Sequence, residues 1–194
     1  MSKIVLVDID AVCLDWQQSF DLFMASRGHY PQKTNSYSIA SIYDISNELA
    51  LQLGQEFNQS DHLQSLLPVH GAQCGIRDLC DLGFSIIAVT SVGDTEKVKQ
   101  NRIKNLEGVF GKNTFKEVIC LPYGGDKFET LMQWKDSKIP FIEDKWENAR
   151  DGYDLGLKPI LLDYPYNQYY FRDKYATIAR FKTWNEITKF IKKL

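Results

Sequence analysis

The residues of this chain that could do chemistry stand where apolar runs end. The run "KIVLVDI" (3–9) carries Asp8 at its exit, and Asp10 follows two residues later. "FSIIAVT" (84–90) ends on Thr90, with Ser91 next. Lys127 lies in "GGDK", just after "KEVICL" (116–121), and "IPFIED" (139–144) closes on Glu143 and Asp144. Two ionised acids a few ångströms apart are costly unless a cation lies between them. Asp8, Asp10, Glu143 and Asp144 offer oxygen donors only, which suits Mg²⁺, a small hard cation that takes one or two carboxylates and a phosphate oxygen. Thr90, Ser91 and Lys127 are the types that hold the other phosphate oxygens. Asp8 can then act as a nucleophile and pass through an aspartyl-phosphate. Asp10, two residues on in an extended chain, falls on the same side, placed to protonate the leaving oxygen and afterwards to activate water.

Such residues meet only if the runs that carry them are strands of one sheet. Runs 3–9, 84–90, 116–121, 139–144 and 157–163 are short, apolar and bounded by polar residues, as buried parallel strands are; "YATIARF" (175–181) reads as a sixth. Between them lie helical patterns at 71–83, 93–106, 124–135 and 146–156, and a helix capped by Thr183 follows. In the second of these Asp94 is the expected cap, with Lys97 where a full capping box wants Glu or Gln. Alternating strands and helices predict a three-layer, Rossmann-like α/β fold, whose ligands sit beyond the carboxyl ends of the strands. One stretch breaks the alternation. After a helix at 14–27, residues 29–70 are rich in Ser, Asn, Gln and Tyr, with weaker helical pieces at 41–53 and 60–67. That is too long for an ordinary connection. It predicts a small helical cap over 14–70, inserted after the first strand, on a core of 1–13 and 71–194.

Composition narrows the function. A net charge of −2 over 194 residues does not suit a protein that wraps a nucleic-acid backbone. No apolar stretch approaches the roughly 20 residues of a membrane span. The opening "MSKIVLVDID" is too short and too acidic at its end for a signal peptide. Cys13, Cys74, Cys80 and Cys120 form no C-x-x-C pair and lie in apolar surroundings, so they are expected to be reduced core residues of a cytoplasmic protein. His29, His62 and His70 show no ligand spacing. The Gly124-Gly125 pair is no P-loop, because the G-x-x-x-x-G-K-[ST] pattern is absent.

The ordered set "DID" (8–10), "TS" (90–91), Lys127 and "ED" (143–144) resembles the four motifs of the haloacid dehalogenase-like (HAD) phosphohydrolases, over roughly residues 3–165. Within them, "DIDAVCLDW" and "LLDYPYN" (161–167) resemble 5'(3')-deoxyribonucleotidases and related phage and bacterial phosphatases. The resemblance implies a Mg²⁺-dependent phosphomonoesterase acting on a small phosphorylated substrate, a nucleoside monophosphate first of all. A polynucleotide 3'-phosphate or a sugar phosphate is the alternative substrate, and a catalytically silent binding protein the non-enzymatic one. A polynucleotide end would want a basic groove, whereas the cap carries few cations, Arg27 and Lys33. Trp16 stands where these nucleotidases place an aromatic against the base; it equally fits the apolar face of a helix. Tyr164 and Tyr166 are expected to pack and to anchor a loop. The sequence departs from the family at Ala11, where Gly is usual, at the Glu-Asp pair in place of Asp-Asp, and at Lys145 in place of Arg. Of the pair, Asp144 is the expected direct metal ligand.

Overall fold

A computed structural model describes residues 3–168 and 173–194. Among them six strands pair in parallel as one sheet: β1 (Lys3–Val7), β2 (Phe84–Thr90), β3 (Phe115–Cys120), β4 (Pro140–Glu143), β5 (Lys158–Leu162) and β6 (Ala179–Phe181), in the order β3-β2-β1-β4-β5-β6. β1 is central and buried on both faces, and successive side chains point to opposite sides. Val5 and Val7 enter one apolar cluster, with Ala88, Ile142 and Ile160; Leu6 enters another, with Ile87, Val89 and Phe141. The strand order reverses between β1 and β4, where a doubly wound sheet opens its ligand crevice. The backbone N–H of Asp8 still donates to Ile142 O at 2.9 Å, so the pairing of these two strands runs to the first candidate acid.

Three helices follow β1: α1 (Trp16–Ala25), α2 (Ile39–Tyr43) and α3 (Asn47–Gln59), then a 3-10 turn at Asp61–Gln64. The expected helix at 41–53 is two helices, because Asp44 takes a left-handed conformation (φ 54°) and Ser46 caps afresh. This layer reaches the loops beyond β2 and β3. The side-chain amide of Asn58 donates to Val92 O at 2.9 Å. A Cβ on Gly54 would lie 2.0 Å from the hydroxyl oxygen of Tyr123, so glycine permits that approach.

The remaining helices are α4 (Ala72–Asp81), α5 (Glu96–Phe110), α6 (Phe128–Leu131), α7 (Trp146–Asp154) and α8 (Trp184–Ile191). α5 starts later than expected. Its cap is Thr95, which has the extended backbone a cap needs and accepts from Val98 N, while Asp94 lies one residue outside. The sixth strand spans only Ala179–Phe181, since Asp173–Thr177 coils into a 3-10 turn. Thr183 caps α8 in a full capping box with Glu186. Trp184 of α8 is buried, packs where Gly75 of α4 leaves room, and donates its indole N–H to Val12 O at 2.8 Å, bracing the turn after β1. The cysteines are free, but they are not all core residues. Cys13 and Cys120 are buried and Cys80 half-buried, whereas Cys74 lies on the solvent side of α4. No helix among the described residues is long and apolar enough to cross a membrane.

Candidate active site

The turn leaving β1 is wound tightly. The N–H groups of Cys13 and Leu14 both donate to Ile9 O, at 2.8 and 2.9 Å, and Ala11 sits at φ 62°. An L-residue there costs about 1 kcal/mol that glycine would not incur. The backbone oxygen of Ala11 accepts from the Tyr164 hydroxyl at 2.7 Å, which holds the turn. The loops after β2 and β3 are stitched together beside it: Ser91 Oγ donates to Gly125 O at 2.7 Å, and Gly124 N to Ser91 O at 2.9 Å. That stitching delivers Lys127 to the crevice.

Lys127 Nζ lies 2.7 Å from Asp8 Oδ1 and 2.8 Å from Glu143 Oε2, and all three residues are buried. Glu143 is fully engaged. Its Oε1 accepts from the N–H groups of Asp144 and Lys145, and its Oε2 from Lys127 and Asn148 Nδ2. Asp144 follows β4 and is held by the Tyr166 hydroxyl, which donates to Oδ2 at 2.6 Å, and by Asn167 Nδ2, which donates to its backbone oxygen at 2.7 Å. Carboxylate oxygens of Asp8, Glu143 and Asp144 all lie within 4.8 Å of one another. Three close, hard oxygen donors with two negative charges beyond what Lys127 neutralises fit a divalent cation such as Mg²⁺.

The charge states agree with that geometry. Burial, then the carboxylate of Glu143, push the Asp8 carboxyl up to about 7 against the pull of Lys127. Burial, Glu143 and Asp8 raise Asp144 well above the usual carboxylate range. Burial would raise Glu143 too, but the ammonium of Lys127 and the hydrogen bonds it receives bring it below its ordinary value. Lys127 is raised, because Asp8 and Glu143 outweigh its own burial. One acid is thus neutralised from within, and two await a cation.

The other expected residues are placed differently. Asp10 is outside the three-acid group. Its carboxylate meets Arg102 of α5, whose Nη2 lies 2.6 Å from Oδ1 and 2.8 Å from Oδ2, with Thr90 Oγ1 3.4 Å from Oδ2. The hydroxyl of Ser91 is spent on Gly125 O. Trp16 lines the cleft, stacks on Phe20 with ring centroids 4.3 Å apart, and donates its indole N–H to Asn58 Oδ1 at 2.8 Å. The cleft has a volume of about 470 Å³. Asp8, Asp10, Thr90, Lys127 and Asp144 line its floor, and Trp16, Tyr37, Tyr123, Tyr164 and Tyr166 its walls.

Arg102, Asn148 and Tyr166 were not among the expected site residues. Asn148 and Tyr166 sit in ordinary contexts, a helix and a turn. Arg102 left a trace: it falls four residues after Val98 and four before Leu106, the apolar positions that mark the buried face of α5.

No family model matches the sequence. An uncharacterized 32.4 kDa protein from the Gp30–rIII intergenic region of Enterobacteria phage T4 is 30% identical over 154 residues, 74% of this chain and 54% of that one. The chain thus spans about half the length of this relative. A predicted phosphatase from Clostridium acetobutylicum superposes with a TM-score of 0.71 at 15% identity, covering 100% of both chains. A haloacid dehalogenase-like family hydrolase from Streptococcus pneumoniae does so at 0.68 and 11%, over 97% of this chain and 98% of that one. The Bacillus subtilis protein YfnB, in a structure bound to magnesium, reaches 0.60 at 14%, over 98% of both. In its fold, the chain is therefore similar to the HAD-superfamily hydrolases.

Proposed function

We propose that this chain is a Mg²⁺-dependent phosphomonoester hydrolase, and that its substrates are nucleoside monophosphates. One observation carries the reading: Asp8 lines a cleft, 2.7 Å from Lys127 Nζ and within metal-sharing distance of Asp144. Asp8 attacks phosphorus and the bond to the leaving oxygen breaks; that oxygen takes the proton of Asp10. Water then attacks the aspartyl-phosphate, giving its proton back to Asp10 as the bond to Asp8 breaks. Lys127 and Thr90 hold the phosphate oxygens, and Ser91 serves through the loop that it ties. Asp8 and Asp144 would hold the Mg²⁺, with Glu143 fixing Lys127 behind them and the Asp10 side chain kept apart by Arg102. The ion supplies charge neutralisation between the nucleophile and the phosphate.

The nucleotide part of the reading rests on the walls. A cleft of 470 Å³ lies within the range of small-ligand sites, and its aromatic lining suits a base. Lys33 and Lys145 are its cations besides Lys127 among the described residues, which favours a single phosphate over a polynucleotide end. A screen of phosphate release over phosphorylated metabolites, with Mg²⁺ and with EDTA, tests this. Nucleoside monophosphates should lead the turnover list, EDTA should silence it, and Asp8→Asn should be folded and inactive. A leading sugar phosphate would replace the substrate class. No turnover of any ester would leave a silent binding protein.

A further inference from the structure

The buried face of α5 is polar where a core helix is usually apolar. Between Val98 and Leu106 it presents Asn101, Arg102 and Asn105, all buried, while Ile103 is left exposed. The two asparagines hold the chain that returns from the cap: Asn101 Nδ2 donates to Ser60 O at 3.1 Å, and Asn105 Nδ2 to Leu66 O at 3.0 Å. Arg102 lies between them, fully buried, and its Nη2 contacts both oxygens of Asp10. Its Nε and Nη1 have no hydrogen-bond partner among the described residues. A buried guanidinium satisfied by one carboxylate is a poor device for stability, since desolvation of the charge offsets much of the attraction, and an apolar residue would serve the packing better. What the contact does supply is a fixed direction for the Asp10 side chain, which has no other charged partner among the described residues.

We infer that Arg102 is a positioning residue for the acid–base step, holding the Asp10 carboxyl where, protonated, it meets the leaving oxygen and where, once ionised, it meets the attacking water. This rests on the phosphatase reading above. Arg102 reaches Asp10 and not the three acids around Lys127, so its influence is confined to the steps that need a proton moved. Transfer from p-nitrophenyl phosphate needs no proton, because the leaving phenolate is stable; transfer from an alkyl phosphate does. Release of phosphate from the aspartyl-phosphate needs Asp10 whatever the ester was.

The test is steady-state kinetics of wild type, Arg102→Met, Arg102→Lys, Asp10→Asn and the Asp10→Asn/Arg102→Met pair on both esters, with a melting curve for each. For Arg102→Met, kcat/KM on p-nitrophenyl phosphate should stay within about threefold, while its kcat and the alkyl phosphate's kcat/KM fall by roughly tenfold or more. Arg102→Lys should recover part of both losses, and Arg102→Met should add little once Asp10 is already Asn. A uniform fall of every parameter on both esters, tracking the melting temperature, would overturn the positioning role. If Arg102→Met does not fold, the same split is read in Arg102→Lys against Asp10→Asn, and its absence there overturns the role equally. A wild type inactive on both esters would be a different result, removing the phosphatase reading and this assignment with it.

Discussion

The hydroxyl of Tyr166 donates a 2.6 Å hydrogen bond to Oδ2 of Asp144. It leaves Oδ1 of Asp144 without an N–H donor among the described residues, and it fixes which way that oxygen looks. Partners of this kind commonly change metal affinity by 10- to 100-fold when removed. Tyr166→Phe should therefore raise the Mg²⁺ concentration needed for half-maximal turnover by about tenfold. Titration of turnover with Mg²⁺, alongside melting in EDTA, checks it. An unchanged requirement would place Asp144 away from the ion.

Glu143 and Asp144 are adjacent in sequence but differ in what they have left to offer. Glu143 accepts four N–H groups, and Asp144 has an oxygen to spare. Asp144→Asn should raise the Mg²⁺ requirement more than Glu143→Gln does. Glu143→Gln should instead lower the stability of the metal-free protein, by about 2 kcal/mol or more, because it removes one of the two carboxylates facing a buried ammonium. Mg²⁺ titration and denaturant melts of both variants decide the order.

The raised carboxyl of Asp8 sets a pH dependence with a definite sign. In the metal-free folded protein burial and Glu143 push it up to about 7, from an ordinary value of 3.8. Across that interval the folded state holds a proton that the unfolded state has lost, so this group's contribution is full at low pH and is lost as pH rises through 7. A cation must displace that proton below pH 7 and need not above it. The gain in melting temperature from Mg²⁺ should hence grow from pH 6 to pH 8. Its apparent affinity should fall about tenfold per pH unit on the acid side if one proton is displaced. Differential scanning at matched ionic strength reads both; a gain that shrinks with pH contradicts the assignment.

Trp16 has one face on Phe20 and borders the cleft. If it stacks on a base, Trp16→Leu should lower kcat/KM for a nucleoside monophosphate by about tenfold or more, since such stacking is worth roughly 1–3 kcal/mol. The same variant should hardly change kcat/KM for p-nitrophenyl phosphate. Parallel kinetics and a melting curve distinguish this from packing, which would depress both substrates together.

Much of this arrangement was legible because strands end abruptly. Asp8, Thr90 and Glu143 are each the point where an apolar run meets polar sequence, and a parallel sheet brings such points to one edge. The direction of Asp10 was not legible, because it depends on a residue 92 positions away. Arg102 sits in "KVKQNRIKN", which reads as a solvated basic stretch unless the helix is registered on Val98 and Leu106. The shortening of β6 and the split of the expected 41–53 helix at Asp44 were lost for a related reason. Local propensity ranks segments but does not see the hydrogen bonds that stop them. Ala11 was visible as a departure; that it stands in the left-handed region is known only from the backbone.

The indole of Trp184 reaches back 172 residues to the backbone oxygen of Val12. The turn that carries Asp8 and Asp10 is thus made well over a hundred residues before the side chain that braces it. A nascent chain can pair β1 with β2 and β4 well before residue 184 is made, yet its Asp8–Asp10 turn then lacks this strut. A fragment ending before α8 would keep the pairing of β1 with β2 and β4 and lose this brace on the turn that follows β1.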